Sequence, residues 1–387
     1  MDALQSVLIF KVSIVYIHIQ YERFCIRLEG RVKIEIRPEW LLKKADGGAI
    51  ALPELLHLLT EVRDRGSISR AAGALGYSYR HAWGLLRQFD EQFGALLVVK
   101  VRGQGTVLSP LAEKLIWADR RIAARLSPFL DSLASELEQE LAKVLVVAAP
   151  AARPLRITAS HGFAVAALIA QLQSMATAVD LKYRGSTEAV AALARGECDL
   201  AGFHVPVEQF RREAAAQYLQ SLEPAKHTLI HLAYRTQGLF VAKGNPKGVT
   251  GLADLVRPDV RFVNRQRGSG TRMLLDLLLA RDHLDSAAVG GYESAEFTHA
   301  AVAAYVASGM ADVGFGVEAA ARRFDLDFLP ILREQYFFAC DSSALAGLAI
   351  TGVRDVMRSA RFKASVDALA GYDGALSGTL TKLDALI

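Results

Sequence analysis

The sequence has few cysteines and no arrangement that would pair them. Cys25, Cys198 and Cys340 are the only three in 387 residues, and none belongs to a CxxC motif. A sparse, odd set excludes a disulfide framework and is typical of a reducing compartment. His227 and His231 are four residues apart, but the residues around them predict a strand, so we interpret them as polar strand positions. We therefore expect a cytoplasmic protein without a metal site.

Residues 6–21 are apolar but too often interrupted to span a membrane. Lys11, His18 and Gln20 break the stretch, and it lacks the basic region and small-residue cleavage site of a secretory signal. We interpret residues 1–31 as a leader of uncertain role, either an extra strand or a poorly ordered segment. No membrane partner is expected.

Two common catalytic motifs are also missing. The turn at residues 268–272, GSGTR, lacks the GxxxxGK[ST] spacing of a phosphate-binding P-loop, and SHGF at residues 160–163 lacks the GxSxG nucleophile elbow. We therefore expect no enzyme. An enzyme acting on a phosphorylated substrate is the distant alternative, because arginines and hydroxyls beside a glycine turn also suit phosphoryl chemistry.

The composition is that of a folded protein with two or three domains. Apolar residues make up 52% of the chain and charged residues 22%, which is enough to build more than one core. The formal net charge of +4 permits an acidic partner without identifying one.

A short helix, a glycine turn and a longer helix are predicted over residues 67–94. An amphipathic helix begins at Pro53 and ends at Gly66. Ser67 and Ser78 are suitable N-caps, and Gly76 suits the turn between the next two helices. This is the plan of a helix-turn-helix.

The longer helix has two faces. Ala82, Leu85, Leu86, Phe89 and Phe93 are spaced to face a core, whereas Arg80, Trp83 and Arg87 lie on another face that could enter a DNA groove. The helix start, where bases or phosphates are usually met, carries Ser78, Tyr79 and His81. The alternative is a plain helical hairpin with a solvated basic face.

A β-hairpin is predicted directly after these helices. Two β-branched runs within residues 96–110 flank the tip at residues 102–105. Such a wing could bring Arg102 and Gln104 to a phosphate or the minor groove. Helix-turn-helix plus wing is more specific than either part alone.

A long helical stretch follows, from Ser109 to about residue 141. Its apolar seam consists of Leu115, Ile122, Leu126, Phe129, Leu133, Leu137 and Leu141. Ser127 and Pro128 predict a restart of the helix. The seam favours a homodimer through residues 109–141, which would place two reading heads on palindromic operator DNA. Packing of the seam on its own domain remains the alternative.

Residues 32–142 resemble the winged helix-turn-helix of the molybdate-responsive ModE regulators, which is itself similar to that of the LysR-type regulators. The segments GSISRAAGALGYSYRHAWGLLRQFDEQFG, VRGQG and LSPLAEKLI carry this resemblance. It implies a DNA-binding domain over residues 32–108 and a linker and dimerisation region over residues 109–147.

After a proline-rich linker at residues 148–154, strands and helices alternate. This rhythm predicts a mostly parallel sheet, in which ligands lie at the carboxyl ends of the strands. Three strand-to-helix junctions, at Ser160–His161, Ser186–Thr187 and residues 269–271, place hydroxyls and backbone N–H groups at helix starts. Each alone could be a simple N-cap, but three together, with Arg265 and Arg267 beside the last, suit a small oxyanion.

Residues 155–340 resemble the type 2 periplasmic-binding-protein fold, in particular tungstate-binding proteins of transport systems. The resemblance rests on GSTEAVAALARGECDLAGFH, QGLFVAKGNPKGVTGLADL, RFVNRQRGSGTR and ASGMADVGFG. It implies an oxyanion held by Arg265, Ser269 and Thr271, with Ser160, Ser186 and Thr187. His161 and Gly270 lie in the same junctions. Arg267–Gly268 departs from the transporter pattern, which is acidic there, and leaves the identity of the anion open.

We therefore predict an α/β multidomain protein: a winged helix-turn-helix, a long linker helix, and a two-lobed type 2 periplasmic-binding-protein fold over residues 155–387. The strand and turn at residues 233–255 are suited to a hinge between the lobes. The expected function is transcription regulation in response to molybdate or tungstate, with no other cofactor. An organic anion or a molybdenum-cofactor precursor is the alternative effector.

Overall fold

The structure, a computed structural model, describes residues 34–43, 49–144, 153–175 and 177–386. The predicted leader and most of the predicted linker at residues 148–154 lie outside the described residues. The chain divides into two compact units. The first, named the DNA-binding unit after its predicted role, contains described residues 37–123. The second, named the sensor unit after its predicted role, contains residues 34–36 and those from Ala124 onward.

Short strands and helices make up the DNA-binding unit. In chain order they are β1 (Leu41–Lys43), β2 (Ala49–Ala51), α1 (Pro53–Arg65), α2 (Ile68–Ala74), α3 (Tyr79–Phe93), β3 (Val98–Val101), β4 (Gly105–Leu108) and the first part of α4 (Pro110–Val144). Strands β1 and β2 pair antiparallel, as do β3 and β4.

The helix boundaries follow the capping residues that the sequence predicts. Pro53 occupies the first turn of α1, and Gly66 ends it in the left-handed conformation with φ of 64°. Ser67 and Ser78 each accept a hydrogen bond from a backbone N–H three residues on, at the starts of α2 and α3. The predicted helix-turn-helix is confirmed as a structural feature.

The wing, formed by β3 and β4, is fastened to the end of α1. The backbone N–H of Thr106 donates to the carbonyl oxygen of Gly66 at 2.9 Å. A Cβ at Gly105 would lie 2.5 Å from that oxygen, so the approach requires glycine. This contact fixes the position of the wing relative to α1.

Helix α4 runs without interruption from Pro110 to Val144, with Pro128 inside it. The predicted restart at Ser127–Pro128 was therefore wrong. Proline lacks a backbone N–H, so the carbonyl of Ala124 has no partner four residues on. The hydroxyl of Thr298 donates to that carbonyl at 3.0 Å, which helps to explain why the helix tolerates the proline.

After the second half of α4, the sensor unit continues with a series of strands and helices. They are β5 (Leu155–Ala159), α5 (Phe163–Ser174), β6 (Val179–Tyr183), α6 (Ser186–Ala194), β7 (Leu200–Pro206), α7 (Arg211–Tyr218), β8 (His227–Val241), β9 (Phe262–Arg265), α8 (Gly270–Arg281), β10 (Ala295–Glu296), α9 (His299–Ala307) and β11 (Val313–Val317). The remaining helices and strands are α10 (Glu318–Arg323), β12 (Asp327–Asp341), α11 (Leu348–Arg358), α12 (Ala360–Asp367), β13 (Tyr372–Asp373) and β14 (Leu380–Lys382). Among the described residues, short 3-10 helices lie at Leu252–Val256, Ser286–Ala288, Ser342–Ala344 and Leu383–Leu386.

One curled sheet connects two lobes in the order β10-β9-β11-β8-β12-β7-β5-β6. Strands β5, β6 and β7 form the sheet of lobe 1, and β9, β10 and β11 that of lobe 2; within each lobe the pairing is parallel. The 15-residue strands β8 and β12 pair antiparallel and join the lobes. The predicted two-lobed fold is confirmed, and β8 contains the predicted hinge strand.

The second half of α4 packs along the edge strand β6. Ser135 Oγ accepts from the backbone N–H of Leu181 at 3.0 Å and donates to the carbonyl of Val179 at 3.3 Å. Ser132 Oγ accepts from the N–H of Tyr183 at 3.2 Å. These two serines face the sheet edge.

Candidate functional site

Helix α3 presents the two faces that its spacing predicts. Ala82, Leu86 and Phe89 are fully buried in the core, whereas Arg80, Trp83 and Arg87 are exposed. Trp83 is 41% exposed and Tyr79 51%, a large aromatic surface for a helix that also carries arginines. Exposed arginines beside exposed aromatic rings are typical of a surface that binds a polyanion, because both kinds of side chain gain contacts there that water does not supply.

The predicted DNA-binding residues differ in how firmly they are held. Ser78 caps α3, and His81 Nε2 lies 2.6 Å from Glu54 Oε1 on α1. Arg87 lies 3.7 Å from Glu91 on the same helix. Arg102 and Gln104 are exposed at the wing tip. His81 and Ser78 thus position the start of α3, while the arginines present their guanidinium groups to solvent.

A small pocket lies between the two lobes of the sensor unit. Its volume is about 10 Å³, roughly the space that one water molecule needs. Its walls come from the ends of β5, β6, β7 and β9, from the joining strand β8, and from the starts of α8 and α9. The lining residues are Ser160, His161, Arg184, Gly185, His204, Arg235, Arg265, Gln266, Ser269, Gly270, Thr271, Phe297 and His299.

Arg265 provides a buried positive charge without a carboxylate partner. It is 4% exposed, and its Nε and Nη1 atoms have no hydrogen-bond partner among the described residues. Burial, together with the charge of Arg235, lowers the pKa of Arg265 to about 9. The guanidinium is therefore still charged at neutral pH, and an unpaired buried cation is costly unless an anion joins it.

Arg235 has the partner that Arg265 lacks. It lies directly opposite Glu334 in the register of β8 and β12, and its Nε donates to the Glu334 carboxylate. Burial is the largest single influence and opposes ionisation of Glu334, but the charge of Arg235, together with His204 and the hydrogen bonds from Gln237 and Arg235, holds the pKa of this carboxyl below its ordinary value. Gln237 donates to Glu334 Oε1 at 2.9 Å and to Thr271 Oγ1 at 3.2 Å. Thr271 is thus left with a hydroxyl proton to donate elsewhere.

Three neutral histidines surround the unpaired arginine. Burial lowers the pKa of His161 and His204 to about 4, and that of His299 well below its ordinary 6.5. His204 Nδ1 lies 3.3 Å from Ser186 Oγ, while His204 Nε2 and His299 Nδ1 are buried without partners among the described residues. Neutral imidazoles can each offer one N–H to an acceptor without adding charge.

The start of α8 adds further donors. Ser269 caps the helix by accepting from the N–H of Arg272 at 3.2 Å, so its own hydroxyl proton is free to donate. A Cβ at Gly270 would lie 2.3 Å from His204 Nε2, so only glycine allows the imidazole so close to the helix start. The pocket therefore combines helix-start N–H groups, hydroxyls and a guanidinium.

No carboxylate lines this pocket within the described parts of the chain. Hydrogen-bond donors predominate, and the net charge of the Arg235–Glu334 pair is zero. The described residues also contain no group of three or more His, Cys, Asp or Glu placed to hold a metal ion. The arrangement is suited to binding an anion that accepts hydrogen bonds on all sides.

The structure brings together most, but not all, of the ligand-binding residues predicted from the sequence. Ser160, His161, Arg265, Ser269, Gly270 and Thr271 line the pocket, and Ser186 lies behind it through its contact with His204. Thr187 and Arg267 instead line a second, open cavity of about 730 Å³ that shares Ser269 and Gly270. Arg267 is 81% exposed and pairs with Glu293 at 3.1 Å.

Sequence reasoning did not identify His204, Arg235 or His299. Arg235 and Glu334 are charged residues within long strands that are otherwise largely apolar, and this could have marked them as a buried pair. His204 and His299 carry no comparable signal, since a single histidine near a strand end is common.

Within the described residues, no helix is both long enough and apolar enough to cross a membrane. Residues 53–113 match the family described as the bacterial regulatory helix-turn-helix protein, lysR family, and residues 167–358 match the PBP superfamily domain.

The chain is also similar to individual proteins. The chain is 32% identical over 241 residues to the uncharacterized protein YvgK of Bacillus subtilis (strain 168), which covers 62% of this chain and 78% of that protein. It is 35% identical over 102 residues to the molybdenum-pterin-binding protein MopB of Rhodobacter capsulatus, covering 25% of this chain and 38% of that protein. A mutant OxyR structure from Corynebacterium glutamicum aligns with a TM-score of 0.41 and 15% identity, over 82% of this chain and 94% of that one.

The chain thus belongs to the family of the Bacillus subtilis protein YvgK, and it combines a helix-turn-helix that matches the lysR family with a domain that matches the PBP superfamily.

Proposed function

We propose that the pocket between the lobes binds a fully deprotonated tetrahedral oxyanion, molybdate or tungstate, and that this binding controls transcription. The observation that carries the proposal is the buried, unpaired guanidinium of Arg265. A dianion placed against it would accept from the guanidinium, from Thr271 and Ser269, and from helix-start N–H groups. The partial similarity to a molybdenum-pterin-binding protein supports the same choice.

The donor-rich lining favours anions that carry no proton. Phosphate retains at least one proton at neutral pH, and that proton needs an acceptor, whereas molybdate, tungstate and sulfate need only donors. Since no carboxylate lines the pocket within the described residues, the O–H of phosphate would find only imidazole nitrogens or hydroxyl oxygens as acceptors, and these are then lost as donors to the anion. We expect affinity in the order tungstate or molybdate, then sulfate, with phosphate weakest.

The lobes must separate for such an anion to enter. A pocket of about 10 Å³ is smaller than a four-oxygen anion. At its mouth, a Cβ on Gly185 of lobe 1 would lie 2.9 Å from the carbonyl of Gly268 of lobe 2, so the lobes are in close contact there. Strands β8 and β12, which join the lobes, are the natural place for a hinge.

Calorimetric titration of the full chain with tungstate, molybdate, sulfate and phosphate tests this function. Arg265→Ala should lower tungstate affinity by about 30-fold or more, which corresponds to about 2 kcal/mol or more. Arg267→Ala is the matched control, because it removes an exposed arginine from the same loop. No binding of any of the four anions, or equal effects of both substitutions, would contradict the proposal.

An organic anion is the second candidate. The open cavity of about 730 Å³ shares Ser269 and Gly270 with the small pocket and is flanked by Arg272 and Tyr292. It could hold the body of a larger ligand, such as a phosphate-bearing molybdenum-cofactor precursor, whose anionic group reaches Arg265. Binding of a phosphorylated pterin, without binding of the inorganic anions, would favour this candidate.

For DNA, we propose that α3 enters the major groove with Arg80, Trp83 and Arg87, with Ser78, Tyr79 and His81 at its start. Arg102 and Gln104 of the wing would contact the backbone or the minor groove. The exposure of this arginine- and aromatic-bearing face supports the assignment.

We further propose that α4 forms a homodimer. On the sensor unit, Phe129 is 62% exposed and Leu137 and Leu141 are each 38% exposed, while Ser132 and Ser135 face β6. An apolar seam that its own unit covers only in part, with Leu126 and Leu133 half-buried, is suited to a second copy of the same helix.

A further inference from the structure

The residues between β10 and α9 have side chains in two different environments. Phe297 and His299 line the pocket, while Glu296 and Thr298 contact helix α4. Thr298 has an extended backbone, in which neighbouring side chains point to opposite sides. Residues 296–299, the coupling segment, therefore touch the pocket on one side and α4 on the other.

The contact with α4 depends on the proline in that helix. Because Pro128 has no N–H, the Ala124 carbonyl is left for the Thr298 hydroxyl, which donates to it at 3.0 Å. The same hydroxyl oxygen accepts from the N–H of Ala301 at 2.9 Å and so caps α9. Thr298 is fully buried. One hydroxyl thus ties the start of α9 to the middle of α4.

A second contact reinforces the first. Arg125 of α4 lies 3.4 Å from the carboxylate of Glu296, which is only 3% exposed. On the pocket side, the backbone N–H of Gln266, itself a pocket residue, donates to the Glu296 carbonyl at 3.2 Å. The coupling segment is therefore bonded on both sides.

His299 is the first residue of α9 and lies in the pocket, next in sequence to Thr298. A ligand that shifts the backbone of His299 also moves the start of α9, and with it the Thr298 hydroxyl that donates to the Ala124 carbonyl.

We propose that the coupling segment transmits occupancy of the pocket to α4, with Thr298 as the positioning residue. Helix α4 begins in the DNA-binding unit and continues without a break into the sensor unit. A change in the stability of this helix is therefore how occupancy of the pocket would be passed on. The inference rests on the proposed function only in that the pocket takes an effector; it does not depend on which anion binds.

Hydrogen–deuterium exchange of the full chain, with and without tungstate, tests the coupling. In the wild type, tungstate should slow exchange of amides at residues 124–132 by about fivefold or more. Thr298→Val keeps the shape but removes the hydroxyl, and it should abolish this change while tungstate affinity stays within about threefold. Thr351→Val is the matched control, because its hydroxyl also donates to a backbone carbonyl but on α11.

A second exchange experiment, without any ligand, tests the coupling independently of the proposed anion binding. His299→Gln alters the pocket side of the segment, and it should change exchange at residues 124–132 in the chain with Thr298 but not in the chain with Val at that position. If no tungstate binds, the oxyanion assignment fails and this second experiment alone decides the coupling. A Thr298→Val chain whose α4 responds as the wild type does, in either experiment, would overturn the proposal.

Discussion

Arg235 and Arg265 lie in one buried pocket, yet only Arg235 is bonded to a carboxylate. Glu334 neutralises Arg235, while the charge of Arg235 helps to lower the pKa of Arg265. The protein thus holds one neutral pair and one uncompensated cation side by side. This difference separates the stabilising arginine from the one that we propose binds ligand, and the two should respond oppositely to mutation.

Arg265→Met should stabilise the ligand-free protein. It replaces an unpaired buried charge with an apolar chain of similar length, and we expect the free energy of unfolding to rise by about 1–4 kcal/mol. Denaturant titration without added anions measures it.

Arg235→Met is the matched comparison in that experiment. It leaves the Glu334 carboxylate buried without its partner, so we expect a loss of about 3–5 kcal/mol. Destabilisation of similar size in both variants would show that Arg265 has a partner after all, and would remove the main support for the anion site.

Acid should destabilise the sensor unit through its buried histidines. The pKa of His161 and His204 is about 4 in the folded protein against an ordinary value of 6.5, so the unfolded chain takes up protons first as the pH falls. Stability should therefore be independent of these groups above about pH 7 and decline between pH 6.5 and 4. Thermal unfolding across this range measures the decline.

Replacing one of these histidines should reduce that decline. His204→Gln should lower the slope by up to about 1.4 kcal/mol per pH unit, the contribution of one proton. His57→Gln, at an exposed position on α1, should leave it unchanged. An unaltered slope in the His204 variant would mean that its imidazole is already charged in the folded protein.

Arg80→Ala should weaken binding to a specific DNA site by about 1–3 kcal/mol if Arg80 contacts a guanine. A fragment that the wild-type protein selects from a random DNA pool provides the site, and fluorescence anisotropy measures the affinity. Arg65→Ala, on α1 and paired with Glu61, is the control. Equal affinity of the wild type and the Arg80 variant would exclude Arg80 from the reading face.

Leu137→Lys should shift the protein from dimer to monomer, because it places a charge in the proposed helix seam. Sedimentation velocity over a concentration series measures the shift. Leu348→Lys changes a leucine that is 94% exposed on α11, and it should leave the association unchanged. A wild-type chain that sediments as a monomer at all concentrations would contradict the dimer.

Local patterns predicted much of the fold because they report on local physics. The apolar spacing of α3 gave both of its faces, and Ser67, Ser78 and Gly66 gave the helix ends, since capping needs only neighbouring residues. The alternation of strands and helices likewise predicted both lobes. The three helix-start junctions could be found because hydroxyls beside glycine mark such starts.

Contacts between distant segments could not be predicted in this way. Arg235 and Glu334 are 99 residues apart, and only the register of β8 and β12 places them opposite each other. Pro128 predicted a helix break, and the compensating bond comes from Thr298, 174 residues away from Ala124. Arg265 and Arg267 are two residues apart in the same segment, and nothing in the sequence was a reason to treat them differently. In the structure, however, Arg267 lies at the surface and pairs with Glu293.

The small volume of the pocket also bears on how fast a ligand could enter and leave it. With room for about one water molecule, the pocket would admit the proposed anion only while its walls are apart. Loading and unloading would then both require the walls to part. If the proposed anion is the effector, the rate of this opening sets the fastest change in anion concentration that the protein can follow.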